Sequence, residues 1–159
     1  MFIPLLFITI TIQCFLPIYA QKIEPKLVNA KYVEDVELIV REKGEGRFVF
    51  NYTATTLEPW SNNVTFRGGF SMIDGQLFEL NFKGCDALSH QWIKEVLKAY
   101  SNVELQCPIK PMKYKFINVE FPPKKFPLKL PKGEFRVQFS AFLTDTKEAI
   151  VEFEFNITM

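Results

Sequence analysis

Side chains able to move protons, attack carbonyls or hold metals are sparse in this chain. His90 is the one histidine. It lies between polar Ser89 and Gln91, on a segment with helical spacing, where an exposed ring rather than a general base is expected. Glu152 and Glu154 alternate with apolar residues and fall on the outward, solvated face of a strand. A glycine-rich phosphate loop, a nucleophile elbow and a paired-histidine helix are all missing from the sequence. A metal is not expected either, because one histidine with Cys85 and Cys107 does not complete a tetrahedral zinc site. The expectation is a protein that is not an enzyme and needs no cofactor.

The cysteines and the chain start point to export instead. Residues 1–20 carry a mostly apolar run from Phe2 to Ile18, broken by Pro4 and Pro17, and end on Tyr19-Ala20. This is read as a secretory leader cut after Ala20, with a single domain over residues 21–159. Cys14 leaves with the leader, and the remaining pair, Cys85 and Cys107, is most simply one disulfide in an oxidising compartment. Three sequons, at Asn51, Asn63 and Asn156, are the candidate glycosylation sites. The formal net charge of +1 argues against a nucleic-acid partner.

What the chain has in abundance is phenylalanine. Of seventeen, all but Phe2, Phe7 and Phe15 lie beyond residue 20. Phe135, Val137, Phe139, Ala141 and Leu143 share one parity, and after a polar turn Val151, Phe153, Phe155 and Ile157 share another. Alternation of this kind belongs to strands with one greasy face and one wet face. Similar patterns predict strands at Val36 to Glu42, Arg47 to Leu57, Asn63 to Ile73, Gln76 to Phe82 and Lys113 to Phe121. Gly68-Gly69 suggests a bulge in the third, and a parity change from Phe116 to Ile117 suggests another in the fifth. Lys43-Gly44-Glu45-Gly46 and Asp74-Gly75 are the hairpin turns. The fold class is therefore mainly β: an antiparallel, immunoglobulin-like sandwich or cup of about seven strands.

Two segments interrupt the strands. Leu88, Trp92, Val96 and Tyr100 recur every four residues from Asp86 onward, with Ile93 and Leu97 beside them. That spacing predicts one amphipathic helix, N-capped by Asp86 and bracketed by the disulfide. The stretch Phe121 to Lys132 is proline-rich and basic, and it reads as an extended loop whose lysines either meet an anionic surface or simply protect a sheet edge. The inward rings pose the functional question, since they fill a tight core or wall a pocket with the same sequence pattern. The candidate cavity residues are Phe48 and Phe50, Phe78 and Phe82, Phe116, Phe139, and Phe153 and Phe155.

Four short motifs bear on that choice. They are Phe82-Lys83-Gly84-Cys85-Asp86, Ala99-Tyr100-Ser101-Asn102-Val103, Cys107-Pro108, and Leu130-Pro131-Lys132-Gly133-Glu134-Phe135-Arg136. In this order they resemble an insect family of small secreted proteins of unknown function. That family is similar to the CheB-type chemosensory proteins and, more distantly, to the ML superfamily of ganglioside-activator-like lipid-recognition domains. The resemblance implies a cup whose sheets open around an apolar cavity, a Cys85–Cys107 bridge, and a role in carrying hydrophobic cues. Additional cysteines common near the family's mature start have no counterpart here. The expected function is a secreted, non-enzymatic binder of a lipid or other hydrophobic small molecule, in contact with a receptor or membrane surface. The alternative is an extracellular protein-interaction module with a solid core and no ligand cavity, acting through the basic proline loop with Lys124, Lys125 and Lys129 or through an exposed sheet edge.

Overall fold

The computed structural model describes residues 20–159, so the leader expected over residues 1–20 lies, apart from Ala20, outside the described residues. Because alternating side chains can bury one face and hydrate the other, the chain condenses into two antiparallel sheets. β1 (Ala20–Ile23), β3 (Val33–Gly44), β4 (Arg47–Thr56) and β7 (Lys113–Phe121) form one, in the order β1-β3-β4-β7. β2 (Leu27–Val28), β5 (Val64–Met72), β6 (Leu77–Lys83), β8 (Glu134–Leu143) and β9 (Ala149–Thr158) form the other, in the order β2-β9-β8-β5-β6. The expected sandwich is present, with nine strands rather than about seven. The two additions, β1 and β2, are short and held by backbone pairing to β3 and β9, so side-chain pattern hardly marks them.

The C-terminal hairpin follows its alternation. Phe135, Val137 and Ala141 stand opposite Ile157, Phe155 and Val151, and Phe135 and Phe153 are 1% exposed. Full burial of rings like these contributes roughly 1.5–3 kcal/mol each. On the outer face, Phe142 is buried beneath Arg67, whose guanidinium lies 5.0 Å from the ring centre.

Three local expectations are corrected. β5 runs in unbroken register against both β6 and β8, so Gly68-Gly69 is not a bulge. Gly68 instead leaves an unfilled place in the inward row, where an added Cβ would meet only the Phe70 ring, at 3.9 Å. The bulge in β7 is real, but Ile117 is not inward: Phe50 pairs with Val119 and Tyr52 with Phe116, so Ile117 and Asn118 together oppose the single residue Asn51 and Ile117 is exposed. The single helix is two, α1 (Gly84–Ala87) and α2 (Gln91–Tyr100). Asp86 lies inside α1 and caps nothing at its start. Its carbonyl accepts the Ser89 hydroxyl at 2.7 Å and the Ser89 N–H at 2.9 Å, closing a tight turn that ends the first helix before His90.

A candidate ligand cavity between the sheets

Both helices sit at one side of the sandwich. α1 packs on β6 and α2 on β7, which are the outer strands of the two sheets. The helical segment therefore spans the gap between two sheet edges. α2 has the amphipathic spacing expected of a helix that buries one face, yet none of its residues is fully buried. Its apolar side chains Trp92, Ile93, Val96 and Leu97 look into a cavity of about 350 Å³, within the range of small-molecule sites.

The two sheets supply the other walls. Phe50, Tyr52 and Phe116 come from one, and Phe66, Phe82 and Phe139 from the other. Tyr52 stands at the centre of the ring cluster, 6.0 Å from Phe116, 6.2 Å from Phe139 and 6.1 Å from Phe153, in tilted or edge-on contact. Such geometry suits the ring quadrupoles. No charged side chain lines the cavity among the described residues. Burial pushes the Tyr52 hydroxyl well above its ordinary range, so it stays protonated. Tyr114, also in the wall, donates its hydroxyl to the Lys110 carbonyl.

Near α1 the wall is formed by Gly84 and Ala87, which flank the disulfide residue Cys85. Cys85 and Cys107 are bonded with their Cα atoms 5.8 Å apart. Two residues after Cys107, Ile109 exchanges both backbone hydrogen bonds with Trp60, at 2.7 and 2.9 Å. Asn62 then reaches the start of α1: its Oδ1 accepts the N–H groups of Cys85 and Asp86, and its amide donates to the Asp86 carboxylate. The helix is thus capped from a distant loop, where local sequence offers no cap. At the other end of α2, Ser101 donates to the Leu97 carbonyl, and Asn102 bonds the Lys113 carbonyl and the Lys115 N–H across to β7.

The proline-rich loop is a strap leading from β7 to β8. Phe126, Leu128 and Leu130 turn inward and pack against the core, while Lys124, Lys125, Lys129 and Lys132 face out. The Phe126 ring meets Trp92 at 5.5 Å, Phe121 at 5.2 Å and Phe70 at 6.1 Å. Beside it Lys125 donates to Glu95 of α2 at 2.7 Å, and this bond, with one from Gln91, holds the Glu95 carboxyl below the usual carboxylate range.

The structure divides the eight candidate phenylalanines. Phe50, Phe82, Phe116 and Phe139 line the cavity. Phe153 lies behind Tyr52 in packed core, and Phe78 is half-buried against Phe135 near the far edge. Phe48 and Phe155 line a separate open trough of about 870 Å³ at the opposite end of the sandwich, whose wall also carries Glu42, Glu134 and Arg136. Trp60, Tyr52, Phe66 and Tyr114 were missed as site residues; only their ring chemistry and the inward parity of Tyr52 and Phe66 could have signalled them. His90 is exposed, its ring edge-on to Phe82 at 4.8 Å. Asn63 and Asn156 are exposed, whereas Asn51 is half-buried and its Oδ1 accepts the Asn118 N–H at 2.6 Å.

Residues 73–137 match the model of a family described as a protein of unknown function, DUF1091. The matched span runs from the β5–β6 turn through both helices, the disulfide and the strap into β8, and contains all four motifs quoted from the sequence. No curated protein matches the chain.

Proposed function

We propose that this chain is an exported, non-enzymatic carrier that holds a lipid or other hydrophobic small molecule between its sheets. One observation carries the reading: an apolar cavity of about 350 Å³, free of charged side chains, walled by rings and by a helix none of whose apolar residues is fully buried. Binding there is driven by removing apolar ligand surface from water, worth about 25 cal/mol per Å². Rings supply much contact area with few rotamers to freeze. The disulfide, the leader-like start and the absence of a membrane-length apolar helix among the described residues are compatible with secretion. The resemblance to CheB-type proteins adds a role in chemosensory perception to this reading.

Uptake of N-phenylnaphthylamine, together with native mass spectrometry of protein from insect cells, tests it. The wild type is expected to take up the probe or to carry an apolar small molecule through purification. Val96→Trp, which fills the cavity from α2, is expected to weaken uptake at least about tenfold, a loss of about 1.4 kcal/mol, with the fold intact. A wild type that neither takes up probe nor retains a molecule would defeat the proposal.

A further inference from the structure

Three hydroxyl groups belong to the mostly hydrocarbon wall of the cavity, those of Tyr52, Thr56 and Tyr114. Two are engaged within the protein. Tyr114 donates to the Lys110 carbonyl, and the Thr56 oxygen accepts the Met112 N–H at 3.3 Å. The Tyr52 hydroxyl enters no hydrogen bond among the described residues, yet it is not sealed off. Of the sealed side-chain polar atoms there, only the Trp60 indole nitrogen lacks a partner, so the Tyr52 oxygen keeps accessible surface. Tyr52 itself is deeply buried between the sheets, against Phe116, Phe139 and Phe153. The space its oxygen reaches is therefore the cavity it lines. A buried hydroxyl left unpaired is costly and uncommon, and a protonated phenol both donates and accepts.

Resting on the carrier reading above, we propose that Tyr52 is the polar anchor of the site. Its ligand is an uncharged chain with one hydroxyl or carbonyl oxygen, bound head-first so that this oxygen meets the Tyr52 hydroxyl between the sheets. The direction follows from where the anchor stands. Tyr52 belongs to β4, an inner strand of its sheet, whereas Ile93, Val96 and Leu97 of α2 offer the other end of a ligand only hydrocarbon. Trp92, whose indole also carries a nitrogen, lies on that same helix, none of whose residues is fully buried. Charge is excluded by the wall as a whole. No lysine, arginine or histidine lines the space, so an ionised carboxylate would lose its hydration without meeting a cation.

Displacement of N-phenylnaphthylamine by methyl decyl ketone, dodecane and, above neutral pH, dodecanoate tests the assignment. Tyr52→Phe removes the oxygen and keeps the ring. The preference for ketone over dodecane is expected to fall at least about tenfold in this variant. The ketone loses its donor there, and the alkane no longer leaves a hydroxyl unpaired. Dodecanoate is expected to bind the wild type at least about tenfold more weakly than the ketone. Infrared spectroscopy of the bound ketone adds a readout that a merely looser cavity would not move. Its carbonyl stretch is expected at lower frequency in the wild type than in dodecane solution, and to return in Tyr52→Phe. An unchanged preference, a larger fall in Thr56→Val or Trp92→Phe than in Tyr52→Phe, an unshifted carbonyl stretch, or dodecanoate as the tighter ligand would each overturn this inference and leave the carrier reading standing. Failure of the probe and every ligand to bind the wild type would overturn both.

Discussion

Asn62 shows how much one side chain can hold together in this protein. It accepts the N–H groups of Cys85 and Asp86 and donates to the Asp86 carboxylate. In doing so it serves donors that any helix start leaves without internal partners. The residue lies two positions from Trp60 and its side chain sits on the disulfide's own helix, so it couples the cavity wall to the staple. Asn62→Ala is expected to lower unfolding free energy by about 1–2 kcal/mol, read from the midpoint of a urea transition at unchanged slope. An unchanged midpoint would mean that water replaces the cap without cost. Gly84, beside it, has no room for a side chain, because an added Cβ would collide with the Ser61 carbonyl oxygen. Backbone and not conformational freedom demands glycine here.

Among the elements, the strap and α2 depend on each other. α2 buries no residue completely, so its place is held at its ends and by Phe126, whose ring touches Trp92 on the helix and Phe70 and Phe121 in the two sheets. Phe126→Ala is expected to cost roughly 2 kcal/mol, below the 3–5 kcal/mol of a fully buried ring, and to speed amide exchange in α2 more than in β8 or β9. Uniform acceleration would deny the strap this local role. The Glu95–Lys125 bond adds a pH dependence of defined sign. Glu95 has its carboxyl held low in the folded protein, so the tie is complete above the ordinary carboxylate range and is lost as pH falls through that lowered value. Between about pH 7 and about pH 3, protection of α2 amides, measured against the intrinsic exchange rate at each pH, is expected to fall in wild type more than in Glu95→Gln. The pair is exposed, so the effect belongs to this local contact and is screened by salt.

For the whole molecule, the disulfide is the one covalent tie across the helical side. It closes a loop between residues 22 apart in sequence that starts inside α1 and contains all of α2. Constraining the unfolded chain over such a loop is worth about 3 kcal/mol in the chain-entropy account. The double variant Cys85→Ala/Cys107→Ala is expected to lose about that much stability while far-UV circular dichroism keeps its β signal, since β3, β4, β8 and β9 pair without help from the loop. Loss of the β signal would show that the sheets need the staple to form.

The split between what was legible and what was not follows the range of the forces. Alternation wrote the β class, the C-terminal hairpin and the inward parity of Phe50, Phe82, Phe116 and Phe139 directly into the chain, because a strand's two faces are set by neighbours two residues away. The bulge after Phe116 was equally local, and the Cys85–Cys107 pair followed from there being two cysteines beyond residue 20. Tertiary structure decided the rest. Whether an inward ring is enclosed on all sides, as Phe153 is, or also borders open space, as Phe139 does, depends on how far apart the sheets stand. The cap from Asn62 and the surroundings of the unpartnered Trp60 donor arise from contacts between segments far apart in sequence. Local periodicity carries no record of them.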